Sequence, residues 1–98
     1  MSVKLGLLVR LEAKPGKEDA LAAFLESGRA LADAEEQTVT WYAFRTGRRE
    51  FGIFDTFESE EGRAAHLGGE IAKALGDIAP DLLAREPEIR TTDIIAAK

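Results

Sequence analysis

The chain has no cysteine, which excludes disulfides, thiolate zinc sites and cysteine nucleophiles. It has a single histidine, so a metal would have to rely on carboxylates. No Asp/Glu spacing resembles a calcium loop or a facial triad, and no resident metal is expected. Gly47, Gly52, Gly68 and Gly69 fit no phosphate-binding pattern, and nothing points to a flavin or nicotinamide, so no cofactor is expected. No apolar run approaches the length needed to span a bilayer. The opening Met1-Ser2-Val3-Lys4-Leu5 lacks the layout of a signal peptide, and a soluble, cytoplasmic protein is expected. Basic charge is in short supply too: 13 Lys and Arg stand against 18 Asp and Glu, a formal net charge of −5. The basic residues are scattered, with Arg48-Arg49 the one adjacent pair, which argues against nucleic-acid partners and anionic membrane surfaces.

What the chain does contain is concentrated. Six of its seven aromatic residues fall between Thr38 and Phe57, the sole histidine follows at His66, and one carboxylate, Asp55, interrupts the aromatic stretch. At 98 residues the chain makes one domain, residues 1–98, large enough to bury a core without covalent staples. Val3, Leu5, Leu7, Val9 and Leu11 alternate with mixed residues and mark a first strand. Lys14-Pro15-Gly16 ends it. A helix over 17–34 follows, with Ala20, Leu21, Phe24, Leu25, Leu31 and Ala32 on one stripe.

The aromatic stretch reads as a hairpin turning at Gly47-Arg48, a two-residue loop with Gly in its first central position. That register sets Arg45 opposite Glu50, Phe44 opposite Phe51, Tyr42 opposite Ile53, Trp41 opposite Phe54 and Thr40 opposite Asp55. A single bulge would exchange the two faces. Ser59 is a good N-cap for a helix ending near Leu67, and Gly68-Gly69 breaks it. A third helix over 70–78 stops at Ala79-Pro80, with 81–84 adding at most one more turn, and 88–97 reads as a last strand.

The order strand, helix, strand, strand, helix, strand is the split βαβ arrangement of ferredoxin-like α+β folds, an antiparallel sheet with helices on one face. The other face would carry Leu8, Trp41, Ala43, Phe54, Ile94 and Ala96. An apolar patch of that kind calls for a partner, and an isologous homodimer packed sheet to sheet closes it.

Taken together, the strand ending Ala13-Lys14-Pro15-Gly16-Lys17-Glu18, the segment from Phe54 to Glu61 and Ala65-His66-Leu67 make the chain resemble the antibiotic biosynthesis monooxygenase family, over nearly its whole length. The resemblance implies a dimeric α+β barrel with a pocket between sheet and helices in each subunit. It also implies a cofactor-independent monooxygenase that oxidises a quinol-like or polycyclic phenolic compound with O2. Asp55 and His66 match an acidic residue and a histidine of the family, and Phe57 stands where the family often has Trp. Haem-degrading relatives use an Asn on the first strand, that Trp and the His. This chain has no Asn and its one Trp lies elsewhere, which argues against haem degradation. Cofactor-free oxidation of polyketides uses the same Asn and Trp positions.

His66 is then the candidate base, because imidazole titrates near neutral pH; the plainer reading is a helix-end histidine that caps a carbonyl or meets solvent. Asp55 either orients His66 or accepts a hydrogen bond from Thr40 across the hairpin. Tyr42, Phe44, Phe51 and Phe57 share Asp55's face in this register and form either the wall of a pocket for a planar aromatic substrate or plain core. Arg45 and Glu50 read as a surface ion pair, and Gly68-Gly69 as a lid hinge or a simple helix break. The rival function is a non-catalytic dimeric barrel that binds or protects a small molecule, in stress response for example. A non-oxidative enzyme on the same fold is the third.

Overall fold

The computed structural model describes residues 3–98; Met1 and Ser2, part of the segment read above for a signal peptide, lie outside the described residues. Seven elements follow one another: β1 (Leu5–Glu12), α1 (Glu18–Asp33), β2 (Thr40–Arg45), β3 (Glu50–Phe57), α2 (Glu60–Leu67), α3 (Glu70–Leu82) and β4 (Glu88–Asp93). The strands form one antiparallel sheet in the order β2-β3-β1-β4, the ferredoxin-like α+β arrangement. The helices cover one face. No helix among the described residues is long and apolar enough to cross a membrane.

The alternation in β1 works as expected: Leu7, Val9 and Leu11 are buried toward the helices, while Arg10 is exposed on the other face. Against them pack Leu21 and Leu25 of α1, Phe51 and Ile53 of β3, and Leu83. Each such side chain contributes about 1.5–3 kcal/mol on leaving water. Ala20 and Leu31, placed on the α1 stripe by periodicity, are exposed, and Gly28 is buried in their stead. Close approach favours glycine there. A Cβ would meet Ile71 Cδ1 at 3.2 Å and the Trp41 ring edge at 3.4 Å.

The hairpin register is one residue away from the sequence expectation. Thr40 stands opposite Thr56, Trp41 opposite Asp55, Tyr42 opposite Phe54, Phe44 opposite Gly52 and Arg45 opposite Phe51. The reason lies in the turn. Glu50 N–H closes on Gly47 C=O (3.3 Å), and Glu50 C=O accepts from both Thr46 N–H (2.9 Å) and Gly47 N–H (3.3 Å), so the loop holds one residue more than a two-residue turn. Because side chains alternate with period two, this exchanges the faces of β2. Trp41 turns to the helix side, and Tyr42 and Phe44 turn to the open face, where they are 60% and 37% exposed. Phe54 remains on the open face beside Leu8. Phe44 lies across Gly52 and Phe54 across Gly6, the glycines leaving room for the rings. Arg45 does not pair with Glu50; it donates to the carbonyls of Gly47 and Arg48 and sits 4.7 Å from the centroid of Phe51.

Two ends differ as well. α3 runs through Pro80 to Leu82, because a proline in the last turn removes one backbone bond while the Pro80 carbonyl accepts from Lys14 Nζ at 2.5 Å. β4 stops at Asp93 rather than 97. Its ladder with β1 ends at the Leu5–Asp93 pair, and Ile94 N–H makes one further bond to Lys4 C=O at 2.8 Å.

Candidate functional site

The sheet brings Asp55 into the interior at the end of β3 that lies under α2, fully buried beside the equally buried Phe57. α2 begins where the sequence places it. Ser59 Oγ accepts from Gly62 N–H at 3.2 Å, with Glu60 and Glu61 in the first turn facing the positive end of the helix. Two turns of helix then carry His66 over Asp55. Arg63 pins the same helix to the sheet, donating to the carbonyls of Gly6 and Thr92 at 3.3 Å each.

His66 is held on both sides. Its Nε2 stands 2.8 Å from Asp55 Oδ2, and its Nδ1 donates to Glu35 Oε1 at 2.5 Å. Its ring also lies 5.4 Å from Phe57, centroid to centroid, tilted by 45°. The Nε2 contact is an ion-pair approach without hydrogen-bond alignment, and neither Asp55 oxygen has an aligned partner. Thr38 Oγ1–H donates to the same Glu35 oxygen at 2.8 Å, leaving Glu35 Oε2 buried and unpartnered. Gly69 makes this placement possible, since a Cβ there would stand 2.7 Å from that free oxygen. Of the glycine pair between α2 and α3, Gly69 thus serves a close approach.

The electrostatics follow from this geometry. Burial pulls the His66 pKa down, but the close approach of the Asp55 carboxylate and the Glu35 carboxylate outweighs it, and the net result lies above the ordinary histidine value. The three side chains form a carboxylate–imidazole–carboxylate array in which both ring nitrogens are committed. The carboxylates occupy opposite edges of the imidazole and do not converge on a point where one ion could sit. Among the described residues no three His, Asp or Glu side chains are grouped to hold a metal.

Two cavities meet at Glu35, and His66 borders the first of them. One of about 400 Å³, lined by Leu31, Gln37, Ala65, His66 and Gly69 among others, lies between the end of α1 and the α2–α3 junction. Another of about 440 Å³ lies between α1 and β2, bordered by Leu25, Ala32, Val39 and Trp41. Glu35 and Thr38 border both.

Of the residues singled out in the sequence, Asp55, Phe57 and His66 come together. Phe51 lies in the main core, away from His66. Phe44 is on the open face; Tyr42 is there too, touching only the edge of the α1–β2 cavity. Neither shares a face with Asp55, because the register is shifted. Thr40 bonds Thr56 (2.6 Å between hydroxyl oxygens), so it does not serve Asp55. Glu35 was not signalled at all. It sits in an acidic loop, Ala34-Glu35-Glu36, that by composition reads as solvated surface.

No protein-family profile and no curated protein matches the chain. Solved structures do. The chain is 52% identical to the NE2512 protein of Nitrosomonas europaea, a protein of unknown function, covering 98% of this chain and 93% of that one at a TM-score of 0.96. The chain belongs to the family of that protein. Its fold is that of the antibiotic biosynthesis monooxygenases. A protein of Caulobacter crescentus CB15 provisionally named as one is similar at a TM-score of 0.82 and 18% identity, over 96% of this chain and 92% of that one. A second such protein, from Nitrosomonas europaea, is similar at 0.83 and 13% identity, over 94% and 90%.

Proposed function

We propose that the protein is a small-molecule oxygenase that works without a resident cofactor on a quinol-like or polycyclic phenolic compound. The observation that carries this reading is the buried Glu35–His66–Asp55 array, of which Glu35 borders two cavities and His66 one of them. The monooxygenase fold supports the choice of oxidation over other proton-transfer chemistry.

In this reading His66 is a positioning residue, since neither ring nitrogen is free to meet a substrate. The acceptor is Glu35, whose Oε2 has no other partner. Glu35 takes the substrate's hydroxyl proton, so the negative charge passes from its carboxylate to the substrate oxygen and the net charge of the site is unchanged. The resulting anion is electron-rich at carbon and passes one electron to O2. The radical pair then joins as a C–O bond. One oxygen atom stays on carbon as a carbonyl, and the other leaves as water with the two hydrogens lost by the substrate. Donors and acceptors fixed before the substrate arrives need no reorganisation in that step.

The test is oxygen uptake with 1,4-naphthoquinol and 1,8-dihydroxyanthrone. Wild type should consume O2 above the enzyme-free rate, and Glu35→Gln should lower kcat by about 10²–10⁴-fold, the range of a lost general base. Equal rates in both proteins would remove Glu35 from the mechanism. Absence of uptake with tight binding of either compound would leave a binding protein in place of an enzyme.

We also propose a homodimer through the open sheet face, now composed of Leu8, Tyr42, Phe44 and Phe54 in place of the set containing Trp41 and Ala43. An aromatic face of this kind on a four-stranded sheet is matched most simply by its own copy.

A further inference from the structure

Glu35 precedes Thr38 by three residues in the connection between α1 and β2, and that spacing closes a single turn. Thr38 N–H bonds the Glu35 carbonyl at 3.3 Å, and the Thr38 hydroxyl donates to the Glu35 carboxylate at 2.8 Å. The turn is fastened to the sheet one residue further on, where Val39 N–H bonds the Thr56 carbonyl at 2.9 Å. Thr56 is the neighbour of Asp55 in β3. The contacts therefore close a ring. Asp55 meets His66, His66 meets Glu35, Glu35 meets Thr38, and Val39 leads back to the strand that carries Asp55.

A glutamate carboxylate turns about three side-chain bonds, and one bond to His66 would fix the place of an oxygen without fixing the plane of the group. Donors approach a carboxylate oxygen near that plane. Two donors on Oε1, the His66 ring from α2 and the Thr38 hydroxyl from the loop, therefore fix the plane as well. They also use both lone pairs of Oε1, so a proton added to the carboxylate goes to Oε2, which has no partner.

We propose that Thr38 is a positioning residue, whose hydroxyl holds Glu35 Oε1 on His66 Nδ1 and so makes Oε2 the oxygen that exchanges protons. The holding of Glu35 belongs to the array whatever the protein does; the part played by Oε2 rests on the oxygenase reading above. The charged groups in contact with His66 are Asp55 and Glu35, and a change at Thr38 removes neither. Arg63, on the same helix, is turned to Glu60 and to the carbonyls of Gly6 and Thr92, and Glu36 and Glu70 border the cavity that His66 borders.

Thr38→Val keeps the shape of the side chain and removes the hydroxyl, and Thr38→Ser keeps the hydroxyl. A 15N titration of the His66 ring reads both variants with no substrate present, since the chain has one histidine. Thr38→Val should lower the His66 midpoint toward that of Glu35→Gln, and Thr38→Ser should restore the wild-type midpoint. A hydroxyl that only shielded Glu35 would have the opposite effect, because a barer carboxylate beside the imidazole raises its pKa. A midpoint that rises or stays in Thr38→Val, or that Thr38→Ser fails to restore, would overturn the positioning role. Thr38→Ala, which asks less of the packing, replaces the valine variant if that one does not fold. Oxygen uptake with 1,4-naphthoquinol then tests the part played by Oε2. In Thr38→Val kcat should fall about tenfold, the size of one hydrogen bond to a charged group, with KM little changed, and Thr38→Ser should recover it. An unchanged kcat beside a lowered midpoint would overturn the assignment of Oε2. Failure of oxygen uptake in wild type, with the midpoint shift intact, would count against the oxygenase reading alone.

Discussion

Removing one group from the array separates what each does. Asp55 is fully buried and carries no aligned hydrogen bond, so its negative charge is balanced chiefly by His66. Asp55→Ala leaves a buried imidazole with one carboxylate fewer and a cavity, and should cost about 3–5 kcal/mol in urea unfolding. Asp55→Asn should cost less, since it keeps the volume. The raised pKa of His66 also fixes a sign. A group whose pKa is higher folded than unfolded contributes stability that is fully present below the unfolded value and is lost as pH rises through the folded one. Unfolding midpoints should therefore fall on going from pH 6.5 upward, and His66→Gln should abolish that slope. Glu18 and Glu88 act at the other end. Their carboxyls are held below the ordinary value, Glu18 by its own backbone N–H and Glu88 by Arg90, so their share is lost on acidification. At this scale the sequence was half legible. A lone carboxylate on an apolar strand face and a lone histidine two helical turns beyond a Ser cap stand out against their surroundings. Glu35 does not, because nothing in a run of surface acids tells which one folds inward.

Elements decide whether those residues meet. α2 is the arm that carries His66, and its start rests on Ser59, so Ser59→Ala should lower stability by about 1 kcal/mol by calorimetric melting. Gly69 is more selective. Its backbone is at φ −89°, which alanine adopts freely, and the nearest obstacle to a Cβ is the end of the flexible Glu35 side chain. Gly69→Ala should push Glu35 off His66, lowering the melting temperature and returning the histidine pKa toward its ordinary value in an NMR titration. Strand and helix order was readable from periodicity alone. The hairpin register was not: Thr46-Gly47-Arg48-Arg49 accommodates a two-residue turn or a longer one equally well, and the one extra loop residue moved Tyr42 and Phe44 out of the interior and Trp41 into it. Pro80 misleads in the other direction, since α3 continues through it to Leu82 with the loss of one backbone bond.

For the whole molecule, the helices shield one side of the sheet and the aromatic side is left open. The expected state is a homodimer, and Tyr42→Glu with Phe54→Glu should shift the mass seen by light scattering from twice the chain mass to once while leaving the circular dichroism of the fold intact. Wild type that runs as a monomer at micromolar concentration would remove that part of the account. The central claim, that Glu35, His66 and Asp55 form one charged array, has a more direct test because the chain has a single histidine. The measurement is the 15N spectrum of the His66 ring across pH 5–9. A midpoint above the ordinary histidine value is expected, and a lower midpoint in Glu35→Gln. A midpoint at or below the ordinary histidine value, or one that Glu35→Gln leaves in place, would contradict it.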